Sequence, residues 1–309
     1  MTSFTTKPEQ VTAAGVGIAY VDGRFIPVEQ ASVSVLDYGF TRSDVTYDVA
    51  HVWEGRFFRL EHHLDRFLRS VDRLHMSLPV DRDQLRAILI ECVRRTGLRT
   101  AYVAMVCTRG RPPQGSRDLR TCRNRFFAYA IPFIWIGGQE RQAGGISAII
   151  SVIRRTPAES VDPTVKNYNW LDLDQAQFEA YDRGADAPIL LGVDGNVTEG
   201  PGFNVFAVFG GGVVTPAHGM LEGITRQTVI DICRGHGIPI EIRAMAGEKL
   251  RDADEIFFTS TAGGIIPVVR LDDRVLGDGV PGPVTTRIRD LYWERHSAPA
   301  EVTPIPYET

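Results

Sequence analysis

The chain has 309 residues, of which 43% are hydrophobic and 23% are charged, and its formal net charge at pH 7 is -4. At roughly 150 residues per domain, this length predicts two domains with a substantial hydrophobic core. The slightly acidic balance gives no electrostatic case for binding nucleic acid or anionic membranes, and no apolar run reaches the ~18 residues of a membrane-spanning helix.

The first part of the chain has the pattern of a mixed sheet with two helices. Residues 1–15 form a polar leader without the basic-then-apolar pattern of a signal peptide, which predicts an irregular segment and a cytoplasmic location. The stretch GIAYVDGRFIPV (17–28) alternates around an Asp-Gly turn signal and predicts a β-hairpin. Helices are expected over 60–76, where apolar residues recur on one face, and over 80–97, which ends at a glycine. With strands near 101–110 and 125–136, these elements predict an N-terminal α/β domain over residues 1–136.

The second part begins after a glycine-rich polar stretch at 137–145, which is the best linker candidate. A strand is expected over 146–155, and helices over 171–185 and 225–237. Alternating segments around turn signals predict hairpins over 189–200, 202–216 and 268–279. These elements indicate a C-terminal domain over residues 146–309 and an α+β fold class for the whole chain. The glycine fingerprints of dinucleotide and P-loop sites are both absent from the sequence.

The cysteines and histidines do not have the spacing of a metal site. The four cysteines, Cys92, Cys107, Cys122 and Cys233, show no C-x-x-C pair, so reduced buried thiols are expected rather than disulfides. His62 and His63 are adjacent, and neighbouring residues on a helix point in different directions. We therefore expect no metal in the mechanism.

Lysine is rare in this chain, because only three of the 34 Lys and Arg residues are lysines. Lys7 lies in the polar leader, and Lys249 lies in a charged run. Lys166 stands in TVKNYNWLD, between a valine and an aromatic pair. A primary amine can condense with a carbonyl to form a Schiff base, whereas a guanidinium cannot. Lys166 is therefore a candidate catalytic amine, although an ordinary residue at the edge of a strand fits the same pattern.

Other polar stretches are suited to binding an anionic cofactor. Arg66 lies on the first long helix, and its guanidinium can bind phosphate. Glu199 follows a predicted hairpin strand and is flanked by glycines. The stretch LEGITRQTV places Gly223, Ile224 and Thr225 at the start of a predicted helix, where free amides are expected to favour an anion. The turn TSTAGG adds two hydroxyls, those of Ser260 and Thr261. Each feature alone fits a structural role equally well, as a solvated arginine, a surface carboxylate, a helix cap or a polar turn.

Together these residues provide an amine, a carboxylate and a group of anion-binding donors, which is the set that pyridoxal 5′-phosphate (PLP) requires. At this point the sequence resembles the class IV, or fold type IV, PLP-dependent aminotransferases, with the closest likeness to the (R)-selective amine transaminases. The resemblance covers residue 16 to the C terminus and depends on GFTRSDVTYDVAHVWEGRFFRLEHHLDR, RRTPAESVDPTVKNYNWLDL, EGPGFNV, GITRQTV and TSTAGGIIPV.

The resemblance implies a small α/β N-terminal domain, a larger pseudo-barrel C-terminal domain, PLP between them, and a homodimer. It implies that Lys166 is the Schiff-base lysine and proton carrier, that Glu199 is the partner of the pyridine nitrogen, and that Leu221 packs on the ring face. Its implied phosphate-binding residues are Arg66, Ile224, Thr225 and Thr261. The implied reaction moves an amino group between an (R)-configured primary amine, or a D-amino acid, and a keto acid such as pyruvate.

The sequence differs from the family that it resembles mainly in the predicted substrate pocket. Position 42 is arginine where histidine is usual, position 104 is alanine where several relatives carry a polar residue, and the loop TRGRPPQGSRD is shorter than its counterparts. We hypothesise that Arg42 takes part in binding the keto-acid carboxylate, while a surface or interface role remains the alternative. The predicted pocket residues are Arg42, Tyr47, Tyr102, Ala104, Trp170, Thr261 and Ala262.

Several other functions remain open from the sequence. Branched-chain L-amino-acid and D-amino-acid aminotransferases are the main alternatives to an (R)-amine transaminase. A carbon–oxygen lyase of the aminodeoxychorismate-lyase type would keep the cofactor residues but not the aromatic pocket. A binding protein without catalysis is the remotest alternative, because it needs no lysine and glutamate at one site.

Overall fold

The computed structural model describes residues 17–136, 138 and 143–307 and arranges them in two β-sheets with helices packed against them. The predicted leader at 1–15 and much of the predicted linker at 137–145 lie outside the described residues. None of the helices in the described part of the chain is both long and apolar enough to cross a membrane.

The strands belong to two groups that follow the chain order closely. Those of the first part are β1 (Ile18–Val21), β2 (Arg24–Pro27), β3 (Val45–Trp53), β4 (Arg56–Phe58), β5 (Ala101–Arg111) and β6 (Arg123–Pro132). Those of the second part are β7 (Ile146–Arg154), β8 (Ala187–Leu191), β9 (Glu199–Gly200), β10 (Phe203–Phe209), β11 (Gly212–Thr215), β12 (Ile240–Ile242), β13 (Glu255–Ser260), β14 (Gly264–Leu271), β15 (Arg274–Val275) and β16 (Val302–Pro304).

Helices connect and cover these strands. They are α1 (Tyr38–Arg42), α2 (Leu60–Arg73), α3 (Arg82–Thr96), α4 (Leu171–Asp182), α5 (Ile224–Gly235), α6 (Gly247–Leu250) and α7 (Pro283–Glu294), with short 3-10 turns at Val28–Gln30, Leu119–Thr121 and Arg295–Ser297.

The first sheet has seven antiparallel strands in the order β16-β4-β3-β5-β6-β1-β2. Helices α2 and α3 pack on one of its faces and enclose a core that includes Leu64, Phe67, Leu85 and Leu89. Helix α3 is capped by Asp81, which accepts a hydrogen bond from the Gln84 amide and forms a capping box. The predicted hairpin at 17–28 and both predicted helices of this part are thus confirmed.

The second sheet has nine strands and curls into a half-barrel. Its main path is β12-β11-β10-β13-β14-β7-β8, with β15 paired to β14 and β9 paired to β10. One face encloses an aliphatic core, and the other packs against α5 and α7. This arrangement of mixed sheets and helices is the α+β, fold type IV architecture, so the predicted fold class is confirmed.

Two local expectations were wrong or incomplete. The hairpin expected over 189–200 forms only as a short antiparallel turn: Leu191 bridges Val197, the Thr198 amide donates to the Leu190 carbonyl at 3.0 Å, and the Gly192 amide donates to the Asn196 carbonyl at 2.8 Å. The strand β8 itself pairs in parallel with β7. The C-terminal strand β16 pairs with β4, so the last residues of the chain join the first sheet, which the division at 137–145 did not anticipate. Apart from this strand, the two predicted halves correspond to the two sheets.

Strand β3 lies near the middle of the first sheet and is buried on both sides. Asp48 points to the helical face, where it meets α2, whereas Tyr47 points to the opposite face. That opposite face carries a cluster of aromatic and aliphatic side chains, namely Val45, Tyr47, Val49, Ala104, Val106, Tyr102, Phe127, Tyr129 and Trp170. The aromatic face of the first sheet therefore forms one wall of the space between the two sheets.

Candidate active site

A cavity of about 420 Å³ lies between the aromatic face of the first sheet and the edge of the second sheet. Its walls include almost all the residues that the sequence predicted for the site. These are Tyr47, Arg66, Tyr102, Lys166, Trp170, Glu199, Leu221, Gly223, Ile224, Thr225, Ser260, Thr261 and Ala262. Positions from both halves of the chain thus meet in one space.

Lys166 lies in the long loop between β7 and α4, and strand β3 holds its backbone. Its carbonyl oxygen accepts hydrogen bonds from the Tyr47 amide at 3.1 Å and from the Thr46 hydroxyl at 2.8 Å. Its amine nitrogen lies 4.4 Å from the centre of the Tyr47 ring. The lysine side chain therefore extends into the cavity from a fixed backbone.

The surroundings of Lys166 lower the pKa of its amine to about 8. Desolvation by the cavity walls is the main cause, and the positive charge of Arg66 adds to it, while Asp48 and Glu199 oppose it. With an ordinary pKa near 10.4, about one lysine in 2500 is neutral at pH 7, whereas a pKa near 8 leaves about one in ten neutral. The site thus produces a usable fraction of nucleophilic amine at neutral pH.

Glu199 is a buried carboxylate held by donors on both oxygens. Its Oε1 accepts from Arg155 Nε at 3.1 Å, and its Oε2 accepts from the Leu221 amide at 3.0 Å. Arg155 in turn donates to Asp172 at 2.6 Å, which balances its charge. Burial raises the pKa of Glu199, while Arg155 and the amide stabilise its ionised form. Arg155 was not predicted from the sequence, because nothing in RRTP shows that its second arginine meets a glutamate 44 residues away.

Arg66 is buried in a second ionic network at the floor of the cavity. Its Nε and Nη2 donate to the two oxygens of Asp48 at 2.7 and 2.9 Å, and its Nη1 donates to the Glu222 carbonyl at 3.0 Å. His63 also contacts Asp48, at 2.8 Å. These partners fix the guanidinium, and Arg66 lowers the pKa of Asp48 well below its usual range against the effect of burial. Asp48 was not among the predicted site residues.

The beginning of helix α5 lies at the cavity, where the sequence predicted an anion site. Gly223 is the N-cap and supplies no side-chain cap, so the first amides of the helix, at the cavity-lining residues Ile224 and Thr225, have no capping partner. A Cβ atom on Gly223 would clash with Asn204 Oδ1, which explains why this position requires glycine. Asn204 is itself fixed, because its amide donates to the Leu221 carbonyl at 2.8 Å.

The hydroxyl groups of strand β13 and the turn after it have different roles. Ser260 donates to the Gly202 carbonyl at 2.8 Å and accepts from the Ala262 amide at 3.2 Å, so its hydroxyl stabilises the turn. Thr259 lines the cavity, and its buried Oγ1 has no hydrogen-bond partner among the described residues. This hydroxyl is a polar group at the cavity that a ligand with polar atoms can satisfy.

Two predicted pocket residues do not line the cavity. Arg42 is exposed at the end of α1, where its guanidinium stacks 3.6 Å above the Tyr38 ring. Ala104 is buried on β5, under the aromatic cluster. A contact between Arg42 and a substrate carboxylate therefore stays a prediction.

The residues present fit PLP. Lys166 offers the amine for the aldehyde, Glu199 a buried carboxylate for the ring nitrogen, and the start of α5 the amides for a phosphate, all on one cavity. The unpartnered hydroxyl of Thr259 fits a ligand of the same polarity.

Known proteins are similar to this chain in sequence and in fold. The family model for class IV amino-transferases matches residues 46–271. A putative branched-chain-amino-acid aminotransferase of Methanocaldococcus jannaschii is 32% identical, over 88% of this chain and 94% of that protein. A D-alanine aminotransferase of Bacillus licheniformis is 29% identical, over 87% of this chain and 93% of that protein.

Solved structures agree with these relatives. The branched-chain aminotransferase of Thermoproteus uzoniensis with norvaline has a TM-score of 0.86 and 32% identity, and the match covers 94% of this chain and 100% of that one. The PLP form of the branched-chain amino acid aminotransferase of Thermobaculum terrenum has a TM-score of 0.85 and 26% identity, and the match covers 95% of this chain and 99% of that one. The chain belongs to the class IV aminotransferases, which use pyridoxal 5′-phosphate as their cofactor.

Proposed function

We propose that this aminotransferase moves an amino group between an (R)-configured primary amine, or a D-amino acid, and a keto acid such as pyruvate. In this proposal Lys166 holds the cofactor as a Schiff base and carries the proton during transfer. Glu199 pairs with the ring nitrogen of the cofactor, and Leu221 packs on its ring face. Arg66, Ile224, Thr225 and Thr261 hold its phosphate. The proposal includes a homodimer, and a cytoplasmic location stays a prediction from the sequence.

The residues of the chain divide the catalytic work between them. Bound PLP supplies an aldehyde that accepts the amino group and a ring that delocalises the electrons released at the donor carbon. Lys166, with its lowered pKa, is able to accept a proton and return it near neutral pH. Glu199, held by Arg155, offers a buried acceptor to the ring nitrogen and so favours its protonated form.

The proposed preference for an (R)-amine is based on the charge of the cavity wall. Among the described residues that line the cavity, the arginines are Arg66 and Arg155, and both are paired with carboxylates. The cavity wall also carries aromatic residues, Tyr47, Tyr102 and Trp170, and aliphatic ones such as Ile131 and Ile134. Of the two donors in the proposal, the (R)-amine therefore fits this wall better than the D-amino acid, because it carries no carboxylate.

The relatives support a second candidate. Those reported above are described as branched-chain-amino-acid and D-alanine aminotransferases, and amino acids of these types carry a carboxylate. A branched side chain would also pack well against the aromatic wall. A preference for L-leucine or D-alanine is therefore the alternative that the experiment must separate, and a lyase of the aminodeoxychorismate-lyase type is less well supported.

A panel of half-reactions tests the proposal. The PLP-loaded enzyme is mixed with (R)-1-phenylethylamine, (S)-1-phenylethylamine, D-alanine or L-leucine, and the change in cofactor absorbance is followed. We expect the (R)-amine to react fastest and its (S)-enantiomer to react little. A faster reaction with L-leucine would assign the enzyme to the branched-chain group and overturn the proposal.

The reverse half-reaction, in which pyruvate is added to enzyme loaded with pyridoxamine 5′-phosphate, tests the role of Arg42. If its guanidinium binds the carboxylate, Arg42→His raises the KM for pyruvate and leaves the half-reaction of the amine unchanged. An unchanged KM would reject that role while leaving the amine specificity standing.

A further inference from the structure

We propose that Thr46 is a positioning residue for Lys166, holding the backbone of the catalytic lysine through its side-chain hydroxyl. Thr46 lies on β3, is fully buried, and donates from Oγ1 to the Lys166 carbonyl oxygen at 2.8 Å. The inference rests on the proposed role of Lys166 as the amine that binds the cofactor.

The loop that carries Lys166 needs such a support. It runs from the end of β7 at 154 to the start of α4 at 171 and contains no helix or strand. Its hydrogen bonds to the first sheet concentrate at the lysine, where the Tyr47 amide and the Thr46 hydroxyl share one carbonyl, beside a bridge from Thr46 to Asn167. A second attachment lies earlier in the loop, where Arg73 of α2 donates to Asp162 at 2.9 Å. Strand β3 is therefore the nearest fixed element to the reacting amine.

Successive residues of β3 hold the two ends of the lysine. Thr46 holds the backbone carbonyl, while the ring of Tyr47 lies 4.4 Å from the amine. The Tyr47 ring also packs on Tyr168, with ring centres 4.4 Å apart. During turnover the lysine side chain must leave the cofactor, carry a proton and return. A fixed Cα lets the side chain swing while its point of attachment stays in place, which is what repeated return to one geometry requires.

The choice of threonine over valine at position 46 supports this role. Valine has nearly the same shape and favours strands equally well, so packing alone does not require the hydroxyl. A buried hydroxyl costs free energy unless it is hydrogen-bonded, and here its bond goes to the lysine. Removing the hydroxyl leaves the Lys166 carbonyl with its bond from the Tyr47 amide, so the fold should survive while the loop gains freedom.

The test compares Thr46→Val, which keeps the shape and removes the hydroxyl, with Thr46→Ser, which keeps the hydroxyl. Thr228→Val is the matched control, because Thr228 is also fully buried and donates to a backbone carbonyl, that of Ile224, at 2.8 Å. Two quantities are measured in each variant. One is the half-reaction rate at saturating (R)-1-phenylethylamine, and the other is hydrogen exchange of the Tyr47 amide in the apoprotein, which reports opening of its bond to Lys166.

We expect Thr46→Val to slow the half-reaction and to speed exchange at Tyr47, each by about fivefold, as the loss of one ordinary hydrogen bond implies. Thr46→Ser and Thr228→Val should stay within about twofold of the wild type in both measurements. The proposal is overturned if Thr46→Val matches the wild type, or if Thr46→Ser falls as far as Thr46→Val. Should Thr46→Val fail to fold, Thr46→Ala replaces it with the same expectation.

A control separates this inference from the assignment of Lys166. Each variant is loaded with PLP, reduced with borohydride and mapped by peptide mass. A label at Lys166 in every variant means that any difference in rate arises from positioning. A wild-type enzyme labelled elsewhere would instead remove the role of Lys166, and the role of Thr46 with it.

Discussion

Lys166 shows how far a single residue type can be interpreted from a sequence. Arginine is the usual cation of this chain, and of the lysines in its described part Lys249 is exposed whereas Lys166 lines the cavity. The rarity of lysine and its semi-apolar neighbours were enough to select it. The same was true of Glu199, whose flanking glycines indicated close approach of the backbone. Both predicted residues line the same cavity, and their roles remain part of the proposal.

The partners of these residues could not be predicted in the same way. Arg155 pairs with Glu199, 44 positions away, and Asp48 pairs with Arg66, 18 positions away. Thr46 contacts Lys166, which is 120 positions away in the sequence. A sequence pattern records local spacing, whereas these contacts depend on how the sheets come together. Arg42 is the opposite case. It was predicted to bind a carboxylate because it stands where histidine is usual, but its side chain stacks on Tyr38 at the surface.

The lowered pKa of Lys166 predicts how its reactivity changes with pH. Reductive methylation of the apoprotein with formaldehyde and cyanoborohydride modifies only neutral amines. We expect labelling of Lys166, measured by peptide mapping, to reach half its maximum near pH 8, because desolvation and Arg66 lower the pKa to about 8. A midpoint above pH 10, as for a lysine in a model peptide, would show that the cavity does not perturb the amine.

The same shift fixes the sign of a stability effect. The unfolded chain binds this proton more tightly than the folded protein, since the pKa falls from 10.5 to about 8 on folding. The free energy of unfolding of the apoprotein should therefore gain a contribution as pH rises from about 8 to 10.5. Lys166→Met, which has no amine to titrate, should lack this contribution.

At the scale of elements, β3 and α2 together support the site. Helix α2 was predicted from its apolar face, and Leu60, Leu64, Phe67 and Val71 are buried as expected. The same helix also buries polar side chains, which its amphipathic pattern did not indicate. Strand β3 was not assigned from the sequence, because it is buried on both sides and its polar residues interrupt the alternation. Strand β5 is buried to the same degree but was predicted, since its first seven residues form an apolar run without a charged residue.

The ionic contact between β3 and α2 leads to a prediction on stability. Asp48→Asn keeps the shape but leaves the buried Arg66 without its carboxylate, so we expect a loss of about 3–5 kcal/mol in the free energy of unfolding. Denaturant titration measures this loss. We also expect weaker binding of PLP, since the guanidinium that we propose binds the phosphate would keep at most one of its two hydrogen bonds to the side chain at position 48.

The control for this variant is Asp65→Asn, on the helix that carries Arg66. Asp65 pairs with Arg82 at the surface, with 59% of its side chain exposed, so its loss should cost at most about 1 kcal/mol. Equal effects of the two substitutions would show that burial does not strengthen the contact between Asp48 and Arg66.

At the scale of the whole molecule, the active site exists because two sheets of different construction face each other. The first is antiparallel and offers an aromatic wall, while the second is curled and offers the start of α5 and the turn after β13. The strands that the sequence predicted before residue 137 lie in the first sheet, and those that it predicted after residue 145 lie in the second. The sequence did not predict that the last strand pairs with β4 in the first sheet, because a strand of three residues, 302–304, is too short for its sequence pattern to indicate a pairing partner.

The central claim is that Lys166 forms the covalent bond to the cofactor, and one measurement tests it directly. The enzyme is saturated with PLP, reduced with borohydride, digested and mapped by mass spectrometry. We predict a single pyridoxyl group on the peptide that contains Lys166, and none in Lys166→Arg treated in the same way. A label on another residue, or an unlabelled wild-type protein, would contradict the claim.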